Sequence, residues 1–519
     1  EPFMYFDNAI YWMDSPDRGR KRHYAAMLYK HTGMVPTSNG GRTFFEVLPS
    51  LAMIRGQVRD HFSWLHTDVA SYTVYFNLNN PEHEIAKITP DEIQIMKNGG
   101  NEDGIILDGS RKMKPLKFLP DADLEEADRL LVDLLVGNMT CPQGDRFLIL
   151  SWLSCFLLID FAGTRPMTRF EGSAGSGKTT ASKITSTLLY GEPQHKKATD
   201  AANYTDGSQN PLIVLDNIEV KQMTEDLTTF MLTSITGIAK EKRKSGTDSE
   251  TITERTKCLL NTTGIEPLCG ELSEILSRSF VINFDLANQA SDCFLESEVI
   301  SAIQQNRDLI ISAIMKRTSH VLAMIRDGAQ KQVMRLLHRT MPTHGKRRCN
   351  DYLSLMYLMM LAGSEEHEVT TGLEDLSPLF IEQIHSINDT SQEMARESNP
   401  IATALASLFH AYRNAVELDE KARYGEDDRA NHVVGFIERY QVRFENENTM
   451  EPVSAGRLLA ALRRVGREFN LEFEYKKPAQ LGRRISNDLD VIRDAGFDID
   501  RQRNAHTKNF EYRICHKSR

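Results

Sequence analysis

The 519-residue chain is short of several things at once. Its seven cysteines (Cys141, Cys155, Cys258, Cys269, Cys293, Cys349, Cys515) include no CxxC pair and no His/Cys cluster at zinc spacing. That argues against a disulfide scaffold or structural zinc, and for reduced thiols in a cytoplasmic protein. Long apolar runs are missing too. The longest, Phe147 to Phe161, falls short of the roughly 20 residues that cross a bilayer, and Arg146 and Asp160 flank or interrupt it. It reads as a buried helix, with no membrane as partner. Net positive charge is also lacking: 62 Lys and Arg against 72 Asp and Glu leave −10 at pH 7. A uniformly basic nucleic-acid coat is excluded, whereas a local basic surface is not. No signal-peptide pattern opens the sequence, which starts on Glu1 rather than Met and so allows for an upstream piece. No repeat of fixed period is found.

What is present divides by pattern, at a length that suggests three or four domains of roughly 150 residues. Helical apolar spacing from Tyr24 to about Ala70 (Phe45, Leu48, Leu51, Ile54), the alternating stretch Tyr72 to Leu78 and the short run Gly104-Ile-Ile-Leu make a small α+β module over 1–120. An α/β core is expected over 121–290. Its helical pattern at Leu124 to Leu135 and through the apolar run is followed by strand, loop, helix, strand, helix, hairpin, strand, helix and strand. Helices dominate 291–415. The acidic stretch Glu417 to Asp428 marks a connection over 416–450, and a basic module fills 451–519.

Gly172, Ser173, Ala174, Gly175, Ser176, Gly177, Lys178 and Thr179 fit G-x-x-x-x-G-K-[ST] between a strand and the helix Thr180 to Tyr190. Three glycines let successive N–H groups face phosphates at a helix N-terminus, whose dipole favours negative charge. The segment through Thr180 is therefore expected to bind a nucleoside triphosphate, ATP with Mg²⁺. Lys178 would reach the β and γ phosphates and the Thr179 hydroxyl would hold the metal. The continuous apolar strand Pro211-Leu-Ile-Val-Leu ends on Asp216, the expected Mg²⁺-side acid. Many ATPases place Glu next, to polarise the attacking water. Here Asn217 follows, and Glu219 is the nearest candidate base. A second apolar strand, Cys258-Leu-Leu, is read as ending on Asn261, whose amide could position water or sense the γ-phosphate. Arg278 is either a finger reaching a neighbour's γ-phosphate or an i,i+4 partner of Glu274.

Phosphate loop, Asp-ended strand, Asn-ended strand and following Arg, in that order, resemble the AAA+ ATPases. Leu215-Asp-Asn, Ile235-Thr-Gly and Leu259-Leu-Asn-Thr-Thr-Gly-Ile resemble, more narrowly, the superfamily 3 helicases and related ATPases of phages and integrative elements. The resemblance covers roughly 120 to 290. It implies a ring, six subunits in that family, acting on single-stranded or forked DNA, with primase or other replication proteins as candidate partners. It also implies a channel hairpin that grips DNA, matched here by Lys240, Lys242, Arg243 and Lys244, the turn Ser245-Gly-Thr-Asp, and Arg255 and Lys257 on the return. An exposed charged hairpin without DNA is the alternative. Asn217 departs from the acidic pair of the viral helicases, which leaves open an ATP-switched clamp or loader that does not unwind.

From Pro452 to Arg519 there are fifteen Lys and Arg against nine Asp and Glu. The pattern fits a winged helix. Ser454 caps a helix through Phe469, a second runs from Pro478 to Ala495, Asn504-Ala-His-Thr-Lys is a wing-like loop and Phe510-Glu-Tyr-Arg-Ile returns as a strand. The run Pro478-Ala-Gln-Leu-Gly-Arg-Arg-Ile also resembles the terminal winged helices of such phage-type ATPases. Lys476, Lys477, Arg483, Arg484, Arg501, Arg503 and Lys508 are the expected phosphate contacts, which set affinity and not sequence preference. A protein-binding module with a solvated basic face is the alternative.

Overall fold

A computed structural model describes residues 3–516 apart from 7–8, 14–17, 57–59, 111, 195–199, 220–221, 244–250, 266–272, 290–294, 341–348, 364–375, 387–398, 425–430, 470–474 and 505–509. At the start, a hairpin of β1 (Phe3–Phe6) and β2 (Ala9–Trp12) meets helices α1 (Arg18–Thr32) and α2 (Asn39–Arg55) around Tyr24, Met27 and Leu28. Strand β3 (Asp60–Phe62) pairs in parallel with β8 (Ile105–Leu107). Between them β4 (Leu65–Asp68), β5 (Thr73–Asn77), β6 (Glu84–Ile88) and β7 (Ile93–Lys97) form an antiparallel sheet in that order. Every residue of β5 is buried. This sheet is not a separate body: Trp64 and Phe76 pack on Phe156 and share one apolar core with residues as far on as Ile384.

Phe156 belongs to the apolar run, which the structure divides. Helix α3 (Leu124–Leu134), capped by Asp123, precedes α4 (Gln143–Ser154), and two 3₁₀ turns, Cys155–Leu157 and Ile159–Phe161, then replace the single helix expected. Next comes a four-stranded, wholly parallel sheet of β9 (Met167–Glu171), β10 (Leu212–Leu215), β13 (Leu259–Gly264) and β14 (Ser279–Asn283), in the order β10-β13-β9-β14. Parallel strands covered on both faces lack alternation, as these do. Helices α5 (Lys178–Tyr190) and α6 (Asp200–Gln209) lie between β9 and β10, one helix more than expected. Helix α7 (Glu225–Thr236) and the hairpin β11 (Ala239–Arg243) and β12 (Thr251–Arg255) precede β13, and the short α8 (Ser273–Leu276) precedes β14. Local chemistry sets the ends of α5 and α7: Gly191 (φ 80°) stops the first, and the Thr224 side chain and Gly237 (φ 63°) bound the second.

Helices α9 (Glu296–Arg326), α10 (Ala329–Thr340) and α11 (Asn350–Leu361) complete the large core. The second core is separate. It gathers Ile401 to Ala415 of the helix Pro400–Tyr424 with Phe436, Tyr440 and residues as far as Ile514. The stretch 416–450, expected as a connection, instead carries the end of that helix, the helix His432–Tyr440 and the strand β15 (Phe444–Asn446). Strands β15, β16 (Thr449–Ser454), β18 (Phe510–His516) and β17 (Phe497–Arg503) form an antiparallel sheet in that order. The Ser454 side chain caps the helix Ala455–Glu468 by accepting from the Arg457 N–H. The next helix, expected to run from Pro478 to Ala495, breaks at Asp488 into Pro478–Asn487 and Leu489–Asp494. The Asp488 carboxylate there takes Arg484 Nε at 2.7 Å and Asn399 Nδ2 at 2.9 Å, tying the break to the start of the long helix.

Candidate functional site

The loop after β9 needs glycine. Gly172, Gly175 and Gly177 have φ of 144°, 82° and 95°, values a side chain disfavours. A Cβ on Gly172 would strike the Phe284 carbonyl, and one on Gly177 the Thr140 hydroxyl. Thr140 also donates to the Ser176 carbonyl, fixing the loop from outside. Ser173, Ala174 and Gly175 are exposed, so the loop faces solvent. Lys178 is 8% exposed and turns back over the loop, donating to the carbonyls of Gly172 (2.8 Å) and Ser173 (2.7 Å) and to Ser176 Oγ at 3.2 Å. Burial pulls its pKa down, against the opposing charges of Glu219 and Asp216. An ammonium resting on three oxygens inside a ring of turned backbone is a cradle whose chemistry suits phosphate.

Asp216 lies just past β10. Its Oδ1 accepts from the hydroxyls of Thr179 (3.2 Å) and Thr263 (2.7 Å). Carboxylate and hydroxyl oxygens at the rim of a phosphate cradle are the hard donors that Mg²⁺ takes. Asn217 has φ 57°, and its N–H donates to Thr263 Oγ1 at 2.9 Å. Glu219 accepts from the Ile265 N–H at 2.9 Å, so its carboxylate joins the segments that follow β10 and β13.

Asn261 sits elsewhere than expected. Strand β13 continues to Gly264, and Asn261 is its third residue, wholly buried. Its Oδ1 accepts from Ser182 Oγ at 2.7 Å and its Nδ2 donates to Thr168 Oγ1 at 2.8 Å. One end of the amide thus holds α5 against the sheet, and the other ties β13 to β9. Two residues on, Thr263 reaches Asp216 in its stead, a residue that sequence reasoning missed. Arg169 and Glu171 were missed as well. They form a buried ion pair (3.1 Å) inside β9, and Arg169 Nη1 also donates to the Thr263 carbonyl at 2.9 Å. Two charges in an otherwise apolar strand were the available signal.

Arg278 lies at the opposite edge of the sheet. It precedes β14, and its carbonyl accepts from the Met167 N–H at the start of β9. Five residues of strand, roughly 16 Å, separate that edge from the Gly172–Thr179 loop. Its guanidinium pairs with Glu274 Oε1 at 3.0 Å within the chain. The hairpin springs from the same edge. Lys240, Lys242 and Arg243 lie on β11, paired with Glu254, Ile252 and Thr251, while Lys244 and the turn lie outside the described residues. Arg255 is exposed, with Nε on the Gly237 carbonyl at 3.0 Å. Lys257 turns inward to Asp160 Oδ2 at 2.9 Å, and Arg165 Nη2 holds Asp160 Oδ1 at the same distance. Burial by itself would raise the Asp160 pKa; the two cations outweigh it and hold it below the ordinary value.

Beside the loop lies a cavity of about 160 Å³, lined by Asn138, Met139, Gly177, Thr180, Ile184 and Leu286. Thr180 Oγ1 and Lys183 Nζ hold Glu296 at 2.6 and 2.7 Å along its rim. Segments as far apart in sequence as Asn138 and Glu296 meet there, which no local pattern announces. In the second core, Lys476, Lys477, Arg483, Arg501 and Arg503 are exposed, Arg484 is paired with Asp488, and Lys508 lies outside the described residues.

No family model matches the chain, and no curated protein matches it. Solved structures do. The chain is similar to one described as SCCmec type IV Cch, active helicase, at 12% identity and a TM-score of 0.49, over 95% of this chain and 86% of that one. It is similar to the apo C-terminal region of NrS-1 at 14% identity and a TM-score of 0.40, over 98% and 93%.

Proposed function

We propose that the chain is a DNA-dependent ATPase that works as a ring, translocating on or unwinding DNA, with residues 451–519 as a winged-helix module. The observation that carries this is the meeting of Lys178, Thr179 and Asp216 at the C-terminal edge of a parallel sheet, where ligands of such sheets bind. ATP would lay its phosphates in the loop under Lys178 and its base in the cavity behind Gly177. Mg²⁺ would be held by Thr179 and Asp216, and supplies charge neutralisation between the phosphates. Arg278, on the far edge from its own loop, suits a head-to-tail contact in which it meets the phosphates of the next copy. Arg255 at the foot of the hairpin and the exposed cations of the terminal module suit a DNA backbone. The test is ATP hydrolysis with and without single-stranded DNA, beside sizing with nucleotide present. Stimulation by DNA and nucleotide-dependent assembly are expected. Equal rates from a persistent monomer would refute the reading.

Asn217 favours a second reading, a slow ATP-switched DNA clamp. Its position directly after Asp216 carries no acid, and Glu219 is engaged with the Ile265 N–H. ATP-dependent retention on DNA, with no strand displacement from a fork, would select it.

A further inference from the structure

Along β17, residues 497, 499, 501 and 503 share one face of the sheet. Phe497 and Ile499 are buried there, whereas Arg501 and Arg503 are exposed, so the face passes from core to open surface halfway along the strand. Strand β18 mirrors the change: Ile514 and Tyr512 are buried and Phe510 is 42% exposed. The register sets Arg501 opposite Tyr512 and Arg503 opposite Phe510, which makes Arg501 and Phe510 diagonal neighbours. The Arg501 guanidinium carbon stands 3.6 Å from the centre of the Phe510 ring, a stacked cation–π pair.

The helix Pro478–Asn487 walls the other side. It lies close because residue 482 is glycine; a Cβ there would meet the Tyr512 hydroxyl at 2.8 Å. Between helix and strands runs a groove of about 710 Å³, with Pro478, Arg483 and Ser486 on the wall and Arg501 and Phe510 on the floor. Lys476 and Lys477 are exposed just before the helix. The shape matters. Duplex recognition places a protruding element into a groove of the DNA. Here the cation and the aromatic ring line a concavity instead, which suits an unstacked base laid on the stacked pair.

We propose that this groove binds single-stranded nucleic acid, with a base stacked on the Arg501–Phe510 pair and phosphates met by Arg483 and the Lys476–Lys477 step. The assignment rests on the reading that the terminal module meets DNA, and narrows it to unpaired strands. The test uses the full chain without nucleotide and three labelled probes: an oligo-dT strand, the same strand carrying abasic residues, and a blunt duplex of equal length. Phe510→Ala and Arg501→Lys should each weaken oligo-dT binding about ten-fold, leave the duplex within about two-fold, and leave the abasic strand unaffected. Arg501→Lys keeps the charge at an exposed position, so it reports stacking if Phe510→Ala does not fold. Equal losses on strand and duplex would overturn the single-strand assignment while keeping the DNA reading. If Lys476→Ala with Lys477→Ala changes neither strand nor duplex, the DNA reading of this module fails first.

Discussion

The two cores of this chain use charge in opposite ways. Along the parallel sheet the charged side chains are buried and committed: Arg169 to Glu171 within β9, and Lys257 and Arg165 to Asp160 at the edge where the hairpin springs. In the terminal module Lys476, Lys477, Arg483 and Arg501 stand in solvent. A buried charge acts through geometry and is costly to unpair, whereas an exposed one acts through long-range attraction that salt screens. The same residue type thus has different work in the two halves, and a count of Lys and Arg does not tell them apart.

The sharpest test of the contrast is Lys178→Ala. Loss of the Lys178 ammonium should lower ATP turnover by about 10²–10³ without altering DNA affinity in the absence of nucleotide. Parallel binding and hydrolysis assays check this. Next in size is Asp160→Ala, which strands Arg165 and Lys257 in the interior and should cost about 3–5 kcal/mol, read by denaturant unfolding. Lys257→Ala and Lys476→Ala should then separate cleanly. The first lowers the melting temperature and leaves the salt slope of DNA binding alone. The second reduces that slope by about 0.9 and holds stability within about 0.5 kcal/mol. A Lys257→Ala protein with unchanged stability and a reduced slope would break the comparison.

The last expected effect is in acid. Burial raises Asp145 to about 6 from its ordinary 3.8. The folded state then takes up a proton that the unfolded state does not, and stability gains as pH falls from about 6 towards 3.8. Asp160, held below 3.8, works the other way: its contribution is present above that value and lost as pH falls through the folded pKa. Asp145→Asn should flatten the upper limb of a stability–pH curve and Asp160→Asn the lower one.

These differences also explain what the sequence disclosed. The placement of the loop from Gly172 to Thr179 between a strand and a helix, and of Asp216 just past a strand, was legible because each strand leads straight into it. The cap at Ser454 was legible for the same reason. Asn261 misled because a strand buried on both faces carries no period to mark its end, and only the neighbouring strands show that β13 runs to Gly264. Lys257 read as a DNA contact because its partner Asp160 is 97 residues away. The long helix Pro400–Tyr424 runs on past Glu417 because its earlier turns are fastened in the second core, which polarity alone does not reveal.

Strand β9 has two ends. At one, Arg165 donates to the carbonyls of Ile159 and Thr256, takes Asp160, and has its own N–H on the Ile235 carbonyl, so it is tied to the last turn of α7 before the hairpin and to the residue just after it. At the other is Gly172. Between them lies a fully extended segment that cannot stretch, hemmed by strands on both sides. A single strand of five residues, Met167–Glu171, therefore joins the residue beside the hairpin's root to the glycine that opens the loop.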